Sequence, residues 1–378
     1  MTEPFKNLLN KDVIETMTIH LNKHYAAFDA QGFVAMATEN LMGLRLKERI
    51  EQITHSLIEY LPNDFEYTAT ILLASLDMPL DDADNNTTKK SQTNGIAGAA
   101  VIPLVKYVHL RGQQHFETSM QLLKEMTKQT PVEFELRFFL LRYPNQTMNL
   151  FTTWVNDQNQ HVRRLVAEAS RTRLPAATPL HAYIENPSAI LALLEQLKDD
   201  QSADVRRSVA NNLHDIAKDH PKLITNLATQ WMQKASQERQ QLLYRACRML
   251  IQKGDKQNLA LFGFNPPKLQ KIQFEILTPS IVFGEVLQFR VSFNSASHTD
   301  QALLIDYVIH HQKNNSHLPP KVCQWSKITL NSGTSRRFSK KHIMRNTATR
   351  VYCAGRYTVE VRLNSIPIGA ADFELLIP

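Results

Sequence analysis

Trp154–Arg173 reads WVNDQNQHVRRLVAEASRTR, and part of it returns 43 residues later. His161-Val-Arg-Arg-Leu-Val-Ala-Glu168 aligns with Asp204-Val-Arg-Arg-Ser-Val-Ala-Asn211. A repeat of this length that joins a D-x-x-x-x-VRR turn to an amphipathic helix reads as a HEAT-like helical hairpin. Such hairpins stack into a solenoid that offers one continuous binding face. The first copy carries the carboxylate of Glu168 where the second carries the amide of Asn211. That asymmetry points to chemistry at Glu168.

Helical periodicity extends on both sides of this repeat. Val13, Ile14, Met17, Ile19 and Leu21, then Leu44, Leu46, Ile50, Ile53, Leu57 and Ile58, recur at helical spacing until Pro62 ends the pattern. Residues 81–95 lack any apolar period and are expected to form a mobile surface loop. Helices follow over Phe116–Met126 and Glu133–Arg142, and another over Leu242–Lys253, with Gly254 as its C-cap. Beyond Asn265-Pro266-Pro267 the apolar period becomes two, as in Leu287-Gln-Phe289-Arg-Val291 and Tyr357-Thr-Val359-Glu-Val361. Short alternating runs of this kind indicate an antiparallel sandwich. Gly355-Arg-Tyr357 is compatible with a tyrosine corner. The expected architecture is an all-α HEAT-like helical solenoid over residues 1–265, followed by an all-β immunoglobulin-like sandwich over 270–378.

At 378 residues the chain exceeds one ordinary core, and two domains agree with that. Its net charge of +7 is unevenly held. From Lys271 onward there are 13 basic and 7 acidic groups, against 30 and 29 before it. A polyanionic partner is therefore permitted, with the excess charge in the C-terminal module. The three cysteines, Cys247, Cys323 and Cys353, show no metal-ligand spacing. Cys323 and Cys353 could pair, but a reduced state fits better. The N-terminus has no signal-peptide pattern, and no run approaches a membrane span. A cytoplasmic protein with no membrane partner is expected. No Gly-rich phosphate loop occurs, and no H-x-x-x-H pair stands beside a third ligand. Neither a metal nor a cofactor is therefore expected.

The helical part resembles the AlkC branch of the AlkC/AlkD alkylation-repair DNA glycosylases over most of residues 20–264. The resemblance rests on Leu44-Arg-Leu-Lys47-Glu-Arg49, Tyr107-Val108 with Phe116-Glu-Thr-Ser119-Met120, Glu133-Phe134-Glu-Leu-Arg137, the His161–Glu168 block, and Arg245–Asp255. Some AlkC members also carry a C-terminal immunoglobulin-like module. The chain departs from the pattern at Phe138, where a proline is expected, and at Val132, where serine or threonine is expected. The resemblance implies hydrolytic excision of cationic N-methylated bases, chiefly 3-methyladenine and 3-methylcytosine, from double-stranded DNA by a monomer, without flipping the base into a cavity.

Such a reaction fits the residues present. A cationic base leaves readily, so an ionised carboxylate that stabilises an oxocarbenium-like sugar and aligns a water is sufficient. Glu168 is the first candidate. Arg164 lies at i−4 and Arg171 at i+3, where they would keep it charged and hold flanking phosphates. Glu133 is the second, which the resemblance marks as functional with Arg137 one turn along. Thr130-Pro131-Val132-Glu133 equally has the T-x-x-E form of a capping box. Glu135 is expected to face elsewhere, in solvent. Which glutamate positions the water stays open.

Trp154 is a candidate to stack on a deoxyribose or a cationic base, with core packing as the alternative. Arg163, Arg206 and Arg207 are candidate phosphate contacts, or rungs of a ladder between repeats. Asp157, by analogy with Asp199, is expected to cap the VRR helix or orient its arginines. In the sandwich the basic run contains Arg336, Arg337, Lys340, Lys341, Arg345 and Arg350. It is a candidate backbone clamp whose binding would fall with salt. A HEAT solenoid can also be a non-catalytic scaffold for DNA or protein. A scaffold would tolerate Glu168→Gln unchanged.

Overall fold

The computed structural model describes residues 5–77, 94–311, 321–346 and 351–377. Most of the expected loop, 81–93, and Arg350 lie outside them. The chain forms two compact units, the first ending at Ile216 and the second beginning at Ala217.

The first unit is a solenoid of helical pairs. It contains α1 (Lys11–His24), α2 (Ala30–Thr38), α3 (Leu46–Tyr60), α4 (Phe65–Ser75), α5 (Val101–Arg111) and α6 (Phe116–Met126). After these come α7 (Glu133–Arg142), α8 (Pro144–Trp154), α9 (Gln160–Ala169), α10 (His181–Glu185), α11 (Ser188–Leu197) and most of α12 (Ala203–Asp219). Successive inner helices α3, α5, α7 and α9 pack side by side. The end of the expected mobile loop is tied down. Ile96 donates its N–H to the Ser75 carbonyl at 2.8 Å, and Gly95 is buried against Leu76 and Asp77.

The quoted repeat becomes the hairpins α8–α9 and α11–α12. In α9, Val162, Leu165, Val166 and Ala169 are fully buried on one face, as 3.6-residue spacing requires. Asn159 caps the helix by accepting the His161 N–H at 2.9 Å, which satisfies one of the donors a helix start leaves unpaired. Asp157 sets up that cap by accepting the Asn159 N–H at 2.8 Å. Its counterpart in the next repeat is Asp200, which accepts the Ser202 N–H at 2.8 Å, and not Asp199. Arg163 donates to the carbonyls of Asp157 and Gln158 and forks onto the Asp200 carboxylate at 2.6 and 2.9 Å. Arg206 repeats the carbonyl contacts on Asp200 and Gln201. Lys124 reaches Asp157 at 2.7 Å. The VRR turn is thus a ladder of ions that locks one repeat to the next.

The second unit starts with α13 (Pro221–Trp231), α14 (Gln237–Ala246), α15 (Arg248–Gln252) and α16 (Lys256–Leu261). The single helix expected over Leu242–Lys253 is broken at Cys247. Gly254 ends its second part with φ +80, while the Asp255 N–H reaches the Leu250 carbonyl at 3.0 Å. Among the described residues eight strands follow: β1 (Leu269–Ile276), β2 (Ser280–Val282), β3 (Val286–Ser295), β4 (Gln301–His311), β5 (Lys321–Leu330), β6 (Ser335–Ile343), β7 (Gly355–Leu363) and β8 (Ile366–Leu376). They form sheets in the order β1-β3-β6 and β2-β8-β7-β4-β5. Between the sheets pack Leu287, Phe289, Val291, Phe293, Tyr307, Val359 and Val361. The tyrosine corner is present. Tyr357 is buried, and its hydroxyl donates to the Cys353 carbonyl at 2.8 Å.

The opposite face of β4 is also covered: Leu304, Asp306 and Val308 are buried there. Lys327 of β5 holds its ammonium 4.8 Å from the Tyr244 ring and 5.3 Å from Phe264. The late helices therefore pack on the five-stranded sheet as part of one unit. All three cysteines are free thiols.

Candidate active-site groove in the helical unit

Glu168 and Arg164 open onto one groove of about 460 Å³. Helix α9 supplies His161, Arg164 and Glu168, and α12 supplies Asp204, Arg207, Ser208 and Asn211. The segment leaving α6 supplies Thr127–Pro131. Apart from Pro131 every lining residue is polar or charged. The 43-residue repeat explains the geometry. His161, Arg164 and Glu168 share one helix face, and Asp204, Arg207 and Asn211 present the equivalent face one repeat on.

Both candidate glutamates are nearly buried and each holds an arginine. Glu168 is 8% exposed and accepts from Arg171 Nη1 through Oε2 at 3.0 Å. Among the described residues no group donates to its Oε1. Glu133 is 9% exposed and pairs with Arg164 Nη2 through Oε2 at 3.3 Å. Arg164, which lines the groove, thus ties Glu133 to the groove's edge. Arg171 lies just past α9, and its Nε binds Asp215 at 2.7 Å. Burial works against the Arg171 charge. The bond and charge of Asp215, then those of Glu168, outweigh it and hold the guanidinium above its ordinary value.

The capping box does not form. Thr130 gives its N–H to the Met126 carbonyl and so closes the preceding helix. Helix α7 instead starts at Glu133, with Val132 as an N-cap that offers no side-chain acceptor. The Glu133 carboxylate is thereby left to Arg164. Glu135 is not solvated as expected. It is half-buried, and burial pushes its carboxyl upward, with Glu133 adding to the effect. Phe138 packs edge-on against His109 at 5.1 Å.

Several expected DNA contacts are occupied internally. Arg137 is 2% exposed. It donates to the carbonyls of Thr178 (2.6 Å), Arg171 (2.7 Å), Ala169 and Thr172 (both 3.3 Å). It cannot reach a phosphate. Arg163 is committed to the inter-repeat ladder, and Arg206 to the Asp200 and Gln201 carbonyls of its own turn. Trp154 is 5% exposed and packs on Phe151 with ring centroids 6.0 Å apart, so it belongs to the core. Arg207 remains on the groove, exposed and paired with Asp204 at 2.7 Å. In the sandwich, Arg337 and Lys341 stand exposed on β6, an edge strand of its sheet, and Arg345 is exposed beyond it. Lys340 turns inward, its ammonium 5.6 Å from the Tyr307 ring. Among the described residues no cluster of His, Cys, Asp and Glu could hold a metal.

A profile described as "Uncharacterised protein YhaZ, C-terminal Ig-like domain" matches residues 270–377. Uncharacterized protein YhaZ of Bacillus subtilis is 32% identical over 372 residues, covering 98% of this chain and 99% of its own. A solved structure, the Pseudomonas fluorescens alkylpurine DNA glycosylase AlkC bound to DNA containing an abasic site analog, superposes with a TM-score of 0.82. It is 29% identical and covers 98% of this chain and 99% of that one. The chain belongs to the YhaZ family and has the AlkC-type fold. In this AlkC-type chain the residue that spacing did not reveal is Asp215. It sits in α12, outside the repeated motif, and meets Arg171 only once α9 and α12 are packed.

Proposed function

We propose that this protein is a DNA glycosylase that hydrolyses the N-glycosidic bond of cationic N-methylated bases, 3-methyladenine and 3-methylcytosine among them. One observation carries the reading. A nearly buried glutamate, Glu168, faces a groove of polar side chains with one carboxylate oxygen unclaimed among the described residues. It does so in a chain that matches a DNA-bound alkylpurine glycosylase over almost its whole length. The C1′–N bond breaks with its electron pair going to the base, which departs neutral. Glu168 stabilises the positive sugar left behind, and its Oε1 aligns a water for attack at C1′. Glu133 supports the same charge from beside Arg164. A groove whose lining side chains, apart from Pro131, are polar or charged suits recognition of charge and backbone, which favours excision without flipping.

Release of methylated bases from methylated duplex DNA tests this. Glu168→Gln is expected to slow release ten-fold or more, about 1.4 kcal/mol of transition-state stabilisation, and Glu133→Gln to slow it less. A wild-type protein that binds this DNA and releases nothing sinks the reading in favour of a binding scaffold. Arg337 and Lys341 are assigned to the DNA backbone. Replacing both by alanine is expected to weaken binding to all sequences and lower the slope of log K against log salt by about 2. An unchanged slope removes the sandwich from the DNA interface.

A further inference from the structure

The repeat that singles out Glu168 also gives its groove a second wall. Asn211, the counterpart of Glu168 one repeat on, lines the same groove, as does Ser208 one helical turn before it. Asn212 holds α12 in register with α9. It is fully buried, and its Nδ2 donates to the Ala167 carbonyl at 2.9 Å and to Ser170 Oγ at 3.0 Å. These bonds tie the residue after Asn211 to the residue before Glu168. The amide and the carboxylate therefore enter the groove at neighbouring levels of the two helices. Among the described residues neither the Asn211 amide nor the Ser208 hydroxyl has a hydrogen-bond partner. A buried hydroxyl on a helix can bond back to the carbonyl four residues earlier. Thr18, Thr54, Ser56, Ser75 and Ser170 all do so in this unit. Ser208, equally buried, does not. Glu168 Oε1, the Asn211 amide and the Ser208 hydroxyl are thus left for something that enters the groove, since polar groups withheld from solvent are costly unless paired.

We propose that Asn211 and Ser208 complete the water site of Glu168. The water donates one proton to Glu168 Oε1 and the other to Asn211 Oδ1, while Ser208 donates to one of its lone pairs. The remaining lone pair is directed at C1′. The inference rests on the glycosylase reading above. As the C1′–O bond forms, the O–H bond toward Glu168 breaks and its proton passes to that carboxylate, the base having left with the C1′–N electron pair. A second carboxylate at position 211 would compete for the proton and repel Glu168. An amide fixes the direction of attack without either effect, which accounts for the glutamate–asparagine difference between the two copies of the repeat.

A site that accepts both protons of water discriminates against methanol, which has only one to give. Base release from methylated duplex DNA is therefore measured in buffer containing methanol, and the sugar product, abasic or methyl glycoside, is identified by mass after digestion to nucleosides. Asn211→Ala is expected to slow release roughly ten-fold and to raise the share of methyl glycoside about ten-fold. Affinity for duplex carrying a tetrahydrofuran abasic analogue is expected to stay unchanged. Ser208→Ala keeps both acceptors, so it is expected to slow release less and to retain the discrimination. A merely structural role for Asn211 would not move the product ratio. Asn211→Ala protein with wild-type release, or with wild-type discrimination, overturns the proposal while the glycosylase reading stands. So does wild-type protein that takes methanol and water in proportion to their concentrations. Loss of affinity for the abasic analogue in Asn211→Ala makes this residue a DNA contact and overturns the proposal as well. Wild-type protein that releases no base defeats both readings together.

Discussion

Arg137→Met is expected to destabilise the helical unit by about 3–5 kcal/mol and to lower its melting temperature by roughly 10 °C. Methionine matches much of the stem but offers no donor. Four carbonyls, those of Ala169, Arg171, Thr172 and Thr178, would lose an N–H partner inside the fold. The Thr172 carbonyl keeps the Leu180 N–H at 3.0 Å; a buried carbonyl left unsatisfied costs about 1–3 kcal/mol, and all four share one guanidinium, so their costs do not sum. The arginine stays cationic throughout. Burial, reinforced by Arg171, pulls it down to about 10, still well above neutral pH. Arg137→Lys should fall between wild type and methionine, because an ammonium cannot span the fork that reaches all four oxygens. Thermal and urea unfolding measure this directly. A loss under about 1 kcal/mol for methionine would return Arg137 to the list of surface DNA contacts.

The contrast between Arg137 and Arg164 shows what could be read from the chain and what could not. Both follow a glutamate at four residues or precede one at four, and both looked like phosphate contacts. Helical period identified α7 to the residue and placed α9 within the quoted repeat, because amphipathic spacing is local information. The same spacing puts Arg164 and Glu168 on one face, and the groove bears that out. Arg137 is different because its partners are backbone carbonyls 32–41 residues away, in a segment without any recognisable motif. Trp154 was ambiguous for a related reason. An aromatic before a helix serves stacking or packing equally well, and only the arrival of Phe151 beside it decides. For the VRR arginines the repeat left phosphate contact and ladder open, and the structure makes Arg163 the rung that reaches Asp200 of the next repeat. The T-x-x-E alternative for Glu133 is not taken up, because Thr130 serves to end the segment after α6. Asp215 gave no signal, since its meaning depends on Arg171 reaching across from the neighbouring repeat.

Asp306→Asn is expected to make the second unit more stable at neutral pH by about 3 kcal/mol, and no more stable at pH 4. Asp306 is 2% exposed on β4, on the sheet face covered by the late helices, and its Oδ1 has no hydrogen-bond partner among the described residues. Burial pushes its carboxyl up to about 6, with Arg362 on the neighbouring strand β7 opposing the shift. In the unfolded chain the same group titrates near 3.9. The unfolded state therefore gives up its proton first as pH rises. Stability is whole below about pH 4, declines between about pH 4 and 6, and stays reduced above that range. Two units of displacement correspond to about 3 kcal/mol. Asparagine keeps the shape and cannot ionise, so it escapes the decline while leaving Arg362, Lys327 and Tyr244 in place. Urea unfolding of wild type and variant at pH 4 and 7.5 separates the cases. Equal differences at the two pH values would mean that Asp306 is not buried as a neutral acid. A difference confined to pH 7.5 would identify the junction between the last helices and the sandwich as the acid-stabilised part of the chain.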